Sequence, residues 1–88
     1  MSALVFRQMS LREWTGTLLR PSTLIDRENP ARPVRAENVG VQITEGPRGC
    51  RLRKWGSDER AARITSHASL EEAQRAALRW AGRRFARQ

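Results

Sequence analysis

The sequence holds one cysteine, Cys50, and one histidine, His67, so it can build neither an intrachain disulfide nor a Cys/His metal cluster. A lone thiol makes a reducing, cytoplasmic compartment the default, and no cofactor is expected. Long apolar runs are missing as well. The opening stretch Ala3 to Phe6 stops at Arg7, short of a signal-peptide core, and nowhere do about 18 apolar residues run together to cross a bilayer. Export and a membrane partner are therefore not expected.

Lysine is nearly absent, because 16 of the 17 basic residues are arginine and only Lys54 is not. Acidic residues number 9, which leaves a net charge of +8 on 88 residues. A chain of this size buries one modest core, so residues 1–88 are expected to form a single domain with no room for a two-domain enzyme. Arginine pairs well with phosphate. A proteome-wide preference for arginine would explain its use over lysine, but not the excess of positive charge. A hydrophobic content of 39% with three Trp and two Phe is enough for a core, which argues against a disordered basic tail.

The chain divides near residue 38. Pro21, Pro30 and Pro33 lie before that point, and the charge lies mostly after it: six basic and four acidic residues (+2) in 1–38, eleven and five (+6) in 39–88. Leu4, Val5 and Phe6 suggest a short strand. Ser10-Leu11-Arg12-Glu13 has the Ser-x-x-Glu spacing of a capping box and predicts a helix over about 11–19, although Gly16 and two threonines let the same stretch read as strand. From Pro21 to Asn38 the prolines disfavour regular structure, leaving an ordered crossing segment or a flexible arm with a short strand at Thr23 to Ile25.

In the second half, Val39, Val41 and Ile43 alternate with Gly40, Gln42 and Thr44, the period of a half-buried strand. Gly46-Pro47-Arg48-Gly49 is a turn cluster, and Cys50 to Trp55 alternates again. Pairing Glu45 with Cys50 sets Ile43 opposite Leu52 and Thr44 opposite Arg51. After a turn at Gly56-Ser57-Asp58-Glu59, a third strand over about 62–67 is registered by its one large apolar residue, putting Ile64 beside Leu52 and Arg63 beside Arg53. Ser69-Leu70-Glu71-Glu72 is a second capping box. The helix it starts carries Leu70, Ala73, Ala77, Trp80, Ala81 and Phe85 on one apolar stripe, with Arg75, Arg79 and Arg83 on the far side. The expected fold is α+β: a three-stranded antiparallel sheet on a long C-terminal helix, preceded by a less regular N-terminal segment.

That register collects Gln42, Thr44, Arg51, Arg53, Trp55, Arg63 and Thr65 on the face away from the helix. Arginines, short polar groups and an aromatic on a flat sheet suit nucleic acid, with guanidinium groups on phosphates or guanine edges and Trp55 as a stacking surface. The competing reading is a solvated face, or one covered by residues 1–38. The Arg75, Arg79, Arg83 ladder is a secondary basic surface, for which an ordinary solvated helix face with a Glu71–Arg75 pair is the simpler account.

Catalysis finds no support. The chosen register sets Cys50 beside Ser66 and turns His67 to the opposite face, so no Cys/His nucleophile pair forms. There is no Gly-rich phosphate loop followed by Lys-Ser/Thr, and the acidic residues, in helix caps or turns, have no spacing that suggests a catalytic carboxylate pair.

The strand, strand, strand, helix order over 39–87, with Arg51-Leu52-Arg53-Lys54-Trp55 and Ser69-Leu-Glu-Glu-Ala-Gln-Arg-Ala-Ala-Leu-Arg-Trp80, resembles the arm-type DNA-binding domains of phage-type tyrosine recombinases. The likeness spans a little over half of the chain. It implies a three-stranded sheet in the DNA major groove, with base and phosphate contacts from Arg51, Arg53 and Arg63. A helical 11–19 would make the order similar to a double-stranded-RNA-binding domain, but Glu71 and Glu72 stand where that family has lysines and would repel the backbone. The expected partner is DNA or another polyanion. The alternative is a phage or mobile-element protein that binds and blocks an acidic host protein or nucleoprotein, in the manner of anti-CRISPR proteins. An uncovered Trp55 face or an exposed edge strand would also invite a homodimer.

Overall fold

Period-two alternation runs through residues 4–7 and 14–18 of the N-terminal segment, and this part folds as a hairpin. In the computed structural model, which describes residues 4–56 and 62–87, β1 (Leu4–Ser10) pairs antiparallel with β2 (Glu13–Leu18). The helix expected over 11–19 is therefore a strand. Trp14, Gly16 and Leu18 alternate with Thr15 and Thr17, and the β-branched threonines favour the pleated conformation. Ser10 does not cap a helix; it pairs with Glu13 after a register shift between Gln8 and Ser10.

The crossing segment is ordered. A short 3-10 turn (Pro21–Thr23) leads into β3 (Leu24–Asp26), and a second (Ala36–Asn38) leads into β4 (Gly40–Gly46). β5 (Gly49–Trp55) and β6 (Arg63–His67) follow, then α1 (Leu70–Arg84) and β7 (Phe85–Arg87). The main sheet is antiparallel with order β1-β2-β4-β5-β6, while β3 and β7 form a two-stranded sheet. Five strands thus replace the expected three, because the first hairpin joins the β4 edge rather than packing elsewhere.

The β4–β5 hairpin has the expected register, with Ile43 opposite Leu52, Thr44 opposite Arg51 and Glu45 opposite Cys50. Gly49 closes it at φ 126°, where an added side chain would strike the His67 carbonyl oxygen. The turn expected at Gly56-Ser57-Asp58-Glu59 falls largely outside the described residues.

α1 starts as its sequence demands. Ser69 accepts a hydrogen bond from the Glu72 amide, and the Glu72 carboxylate accepts one from the Ala68 amide. One face of α1 buries Ala73, Ala77, Trp80 and Ala81 against the sheet side that carries Val41, Ile43, Cys50 and Leu52. Leu4, Leu18, Val34 and Val39 complete this core, so it draws on both parts of the chain. Phe85 is buried as expected, but from β7, with its ring edge-on to Trp80 at 6.1 Å.

Candidate nucleic-acid interface

Side chains that pair directly across an antiparallel ladder share a face, so the register shows which groups meet on the side away from α1. One cross-strand row runs Arg7, Thr15, Gln42, Arg53, Ile64 and spans all five strands of the main sheet. Beside it runs Ser10, Glu13, Thr44, Arg51, Ser66. On the other side of the first row, Trp55 stands opposite Gly40. Arg7, Thr44, Arg51, Arg53, Ile64 and Ser66 are all exposed. Residues 4–18 widen this face, and its arginines stay open.

The row positions sort the expected site residues. Gln42, Thr44, Arg51, Arg53 and Trp55 come together as expected. Arg63 and Thr65 do not: Cys50 pairs with His67, Leu52 with Thr65, and Arg53 with Ile64, one residue out of the expected register. Every β6 side chain is therefore turned over. Arg63 moves to the helix side, opposite Lys54, and Ile64 stands among the arginines, 58% exposed. Two constraints outweigh burial of that single isoleucine. The Gly49 turn sits against the His67 carbonyl, and only Ala68 separates His67 from the Ser69 cap. On an edge strand one exposed apolar side chain costs little.

Trp55 and Arg53 form the most defined part of the face. The indole rests on Gly40, where an added Cβ would lie 2.7 Å from ring atom Cζ2, and the Arg53 guanidinium carbon is 5.6 Å from the ring centroid. A glycine on the neighbouring strand thus lets the ring lie down over the backbone, and the cation holds it there. Gln42 donates to the Glu13 carboxylate, engaging the one acidic group in the two rows. Arg7, Thr15 and Glu13 are additions to the expected site. Their signal was the alternation of Leu4 and Phe6 with Val5 and Arg7, continued in Trp14 to Leu18.

The helix ladder Arg75, Arg79, Arg83 is exposed on the opposite side of the molecule. Arg75 donates to Glu71 one turn earlier.

A cavity of about 470 Å³ opens at the β4–β5 turn, lined in part by Arg48, Cys50, Arg51, Ser66 and His67. Here Cys50 and His67 are direct cross-strand partners, contrary to the expectation that they face apart. Burial, and then the Glu45 carboxylate, push the Cys50 thiol above its ordinary range, which disfavours the thiolate a nucleophile needs. The His67 Nε2 lies 2.8 Å from Thr65 Oγ1 on its own strand.

Fold and face together define an α+β domain with a five-stranded antiparallel sheet, covered by a helix on one side and carrying exposed arginines on the other. Comparison of the chain with family models, curated proteins and solved structures finds no match. Among the described residues no helix is long and apolar enough to cross a membrane.

Proposed function

We propose that this chain is a small non-enzymatic protein that binds nucleic acid on the open face of its main sheet, in a reducing cytoplasmic setting. The observation that carries the reading is that Arg51, Arg53 and Trp55 share one exposed face with Gln42 and Thr44, joined by Arg7 from the first hairpin. Guanidinium groups meet phosphates there, short polar side chains reach sugar and base edges, and the Arg53 guanidinium over the half-buried indole gives a planar pair against which a base can stack.

A gel-shift titration against duplex DNA, single-stranded DNA and RNA at two salt concentrations tests this. Affinity should fall steeply with salt. Arg51→Ala and Arg53→Ala should each weaken binding and flatten that salt dependence, while Arg79→Ala on the helix should leave both unchanged. No binding to any of the three at low salt would overturn the reading and favour an acidic protein partner.

A further inference from the structure

Resting on that reading, we infer that the open face takes single-stranded nucleic acid, laid across the strands from β6 toward β1, in preference to a duplex. Width is the first reason. Four inter-strand spacings of about 4.8 Å make the five-stranded face roughly 19 Å across, whereas the major groove is about 12 Å wide and admits a helix or a two-stranded ribbon. Twist is the second. At about 20–25° per strand, the two edges are rotated by roughly 80–100° relative to each other, so no straight groove follows the row from Arg7 to Ile64. A single strand bends with the sheet and meets both.

Chemistry along the row supports the same ligand. Arg53 and Trp55 present two planar groups held together at 5.6 Å, and unstacked bases stack on indole rings and on guanidinium planes alike. Ile64, next to Arg53 and 58% exposed, offers apolar contact to a splayed base, which a duplex keeps inside its stack. Arg7 stands at the other end of the row and Arg51 in the adjacent one, giving the backbone three cations to follow. The Glu13 carboxylate accepts a hydrogen bond from Gln42.

Fluorescence anisotropy with labelled 12-nucleotide single strands of DNA and of RNA, and with a 12-base-pair DNA duplex, separates the outcomes. The 88-residue chain should bind single strands at least about tenfold tighter than the duplex, with three phosphate contacts giving a log–log salt slope of about −2. Trp55→Ala should weaken single-strand binding roughly tenfold or more, with Trp55→Phe retaining most of it. Circular dichroism melts establish that both variants are folded. Preference between the DNA and RNA strands identifies which sugar the face accepts. Equal or tighter duplex binding that still depends on Arg51 and Arg53 would overturn the single-strand inference and leave the nucleic-acid reading standing. Binding to neither form overturns both.

Discussion

Burial decides the chemistry of Cys50. The side chain is 4% exposed and stands beside Glu45; both influences disfavour a thiolate and hold the folded-state pKa above that of an ordinary thiol. In the unfolded chain the thiol ionises near pH 8.5. Between the two values the unfolded state has lost a proton that the folded state keeps. The contribution of this group to stability is therefore full below the unfolded pKa and is lost as pH rises through the folded one. Urea midpoints measured from about pH 7 to 10 should fall over the alkaline part of that range, and Cys50→Ala should flatten the fall. A wild-type midpoint that stays level, or a variant that falls just as steeply, contradicts the assignment. The same residue shows how far sequence reached. Its burial was legible from its place in an alternating strand, but its histidine neighbour was not, because that depended on the register of β6.

Elements differed in how plainly they announced themselves. The β4–β5 register could be read because two alternating strands meet across a glycine-bounded turn, leaving one pairing that puts Val41, Ile43, Cys50 and Leu52 on one side. β6 offered one large apolar residue, and burying it was the wrong criterion: the turn at Gly49 and the helix cap at Ser69 hold His67 from both ends. The first hairpin was ambiguous for another reason. Ser10 and Glu13 have the spacing of a helix cap while Thr15 and Thr17 have the pattern of a strand, and pairing with β4 decided for the strand. If Gly49 is the pin that sets β6, then Gly49→Ala should be disproportionately damaging. It forces a side chain into a left-handed conformation and against the His67 carbonyl, a strain of about 1–3 kcal/mol before any clash. We expect a lower melting temperature together with chemical-shift changes concentrated in β6. Gly46→Ala, at the facing turn position where an added Cβ comes no closer than 3.7 Å to the nearest atom, should be far milder. Equal effects at the two glycines would remove the pinning argument.

At the scale of the molecule the division near residue 38 dissolves, and a buried pair of charges spans the two parts. Asp26 at the end of β3 and Arg84 at the end of α1 are 2% and 6% exposed, with Arg84 Nη2 3.8 Å from the Asp26 carboxylate. Arg84 Nη1 also lies 3.6 Å from Glu28, and the guanidinium carbon is 5.9 Å from the centroid of the Trp80 ring. Gly56 leaves room for the guanidinium, which any side chain there would meet. β3 pairs with β7 at the same place, and the Arg27 amide donates to the Arg84 carbonyl. Arg84 follows Ala73, Ala77 and Trp80 on the buried stripe of α1, a periodicity that its charge obscures in the sequence. Two charges this deep attract strongly but have lost their hydration, so the pair as a whole adds little, while removing one partner leaves the other buried with weaker compensation, from Glu28 for Arg84 and from the Glu28 amide for Asp26. Asp26→Leu and Arg84→Met should therefore each cost up to about 3–5 kcal/mol. Replacing both in Asp26→Leu/Arg84→Met should cost much less than the two single changes added together. Chemical denaturation of the four proteins gives the coupling energy directly. Additive losses would mean that the backbone pairing of β3 with β7, rather than the buried charges, ties the N-terminal part to the helix.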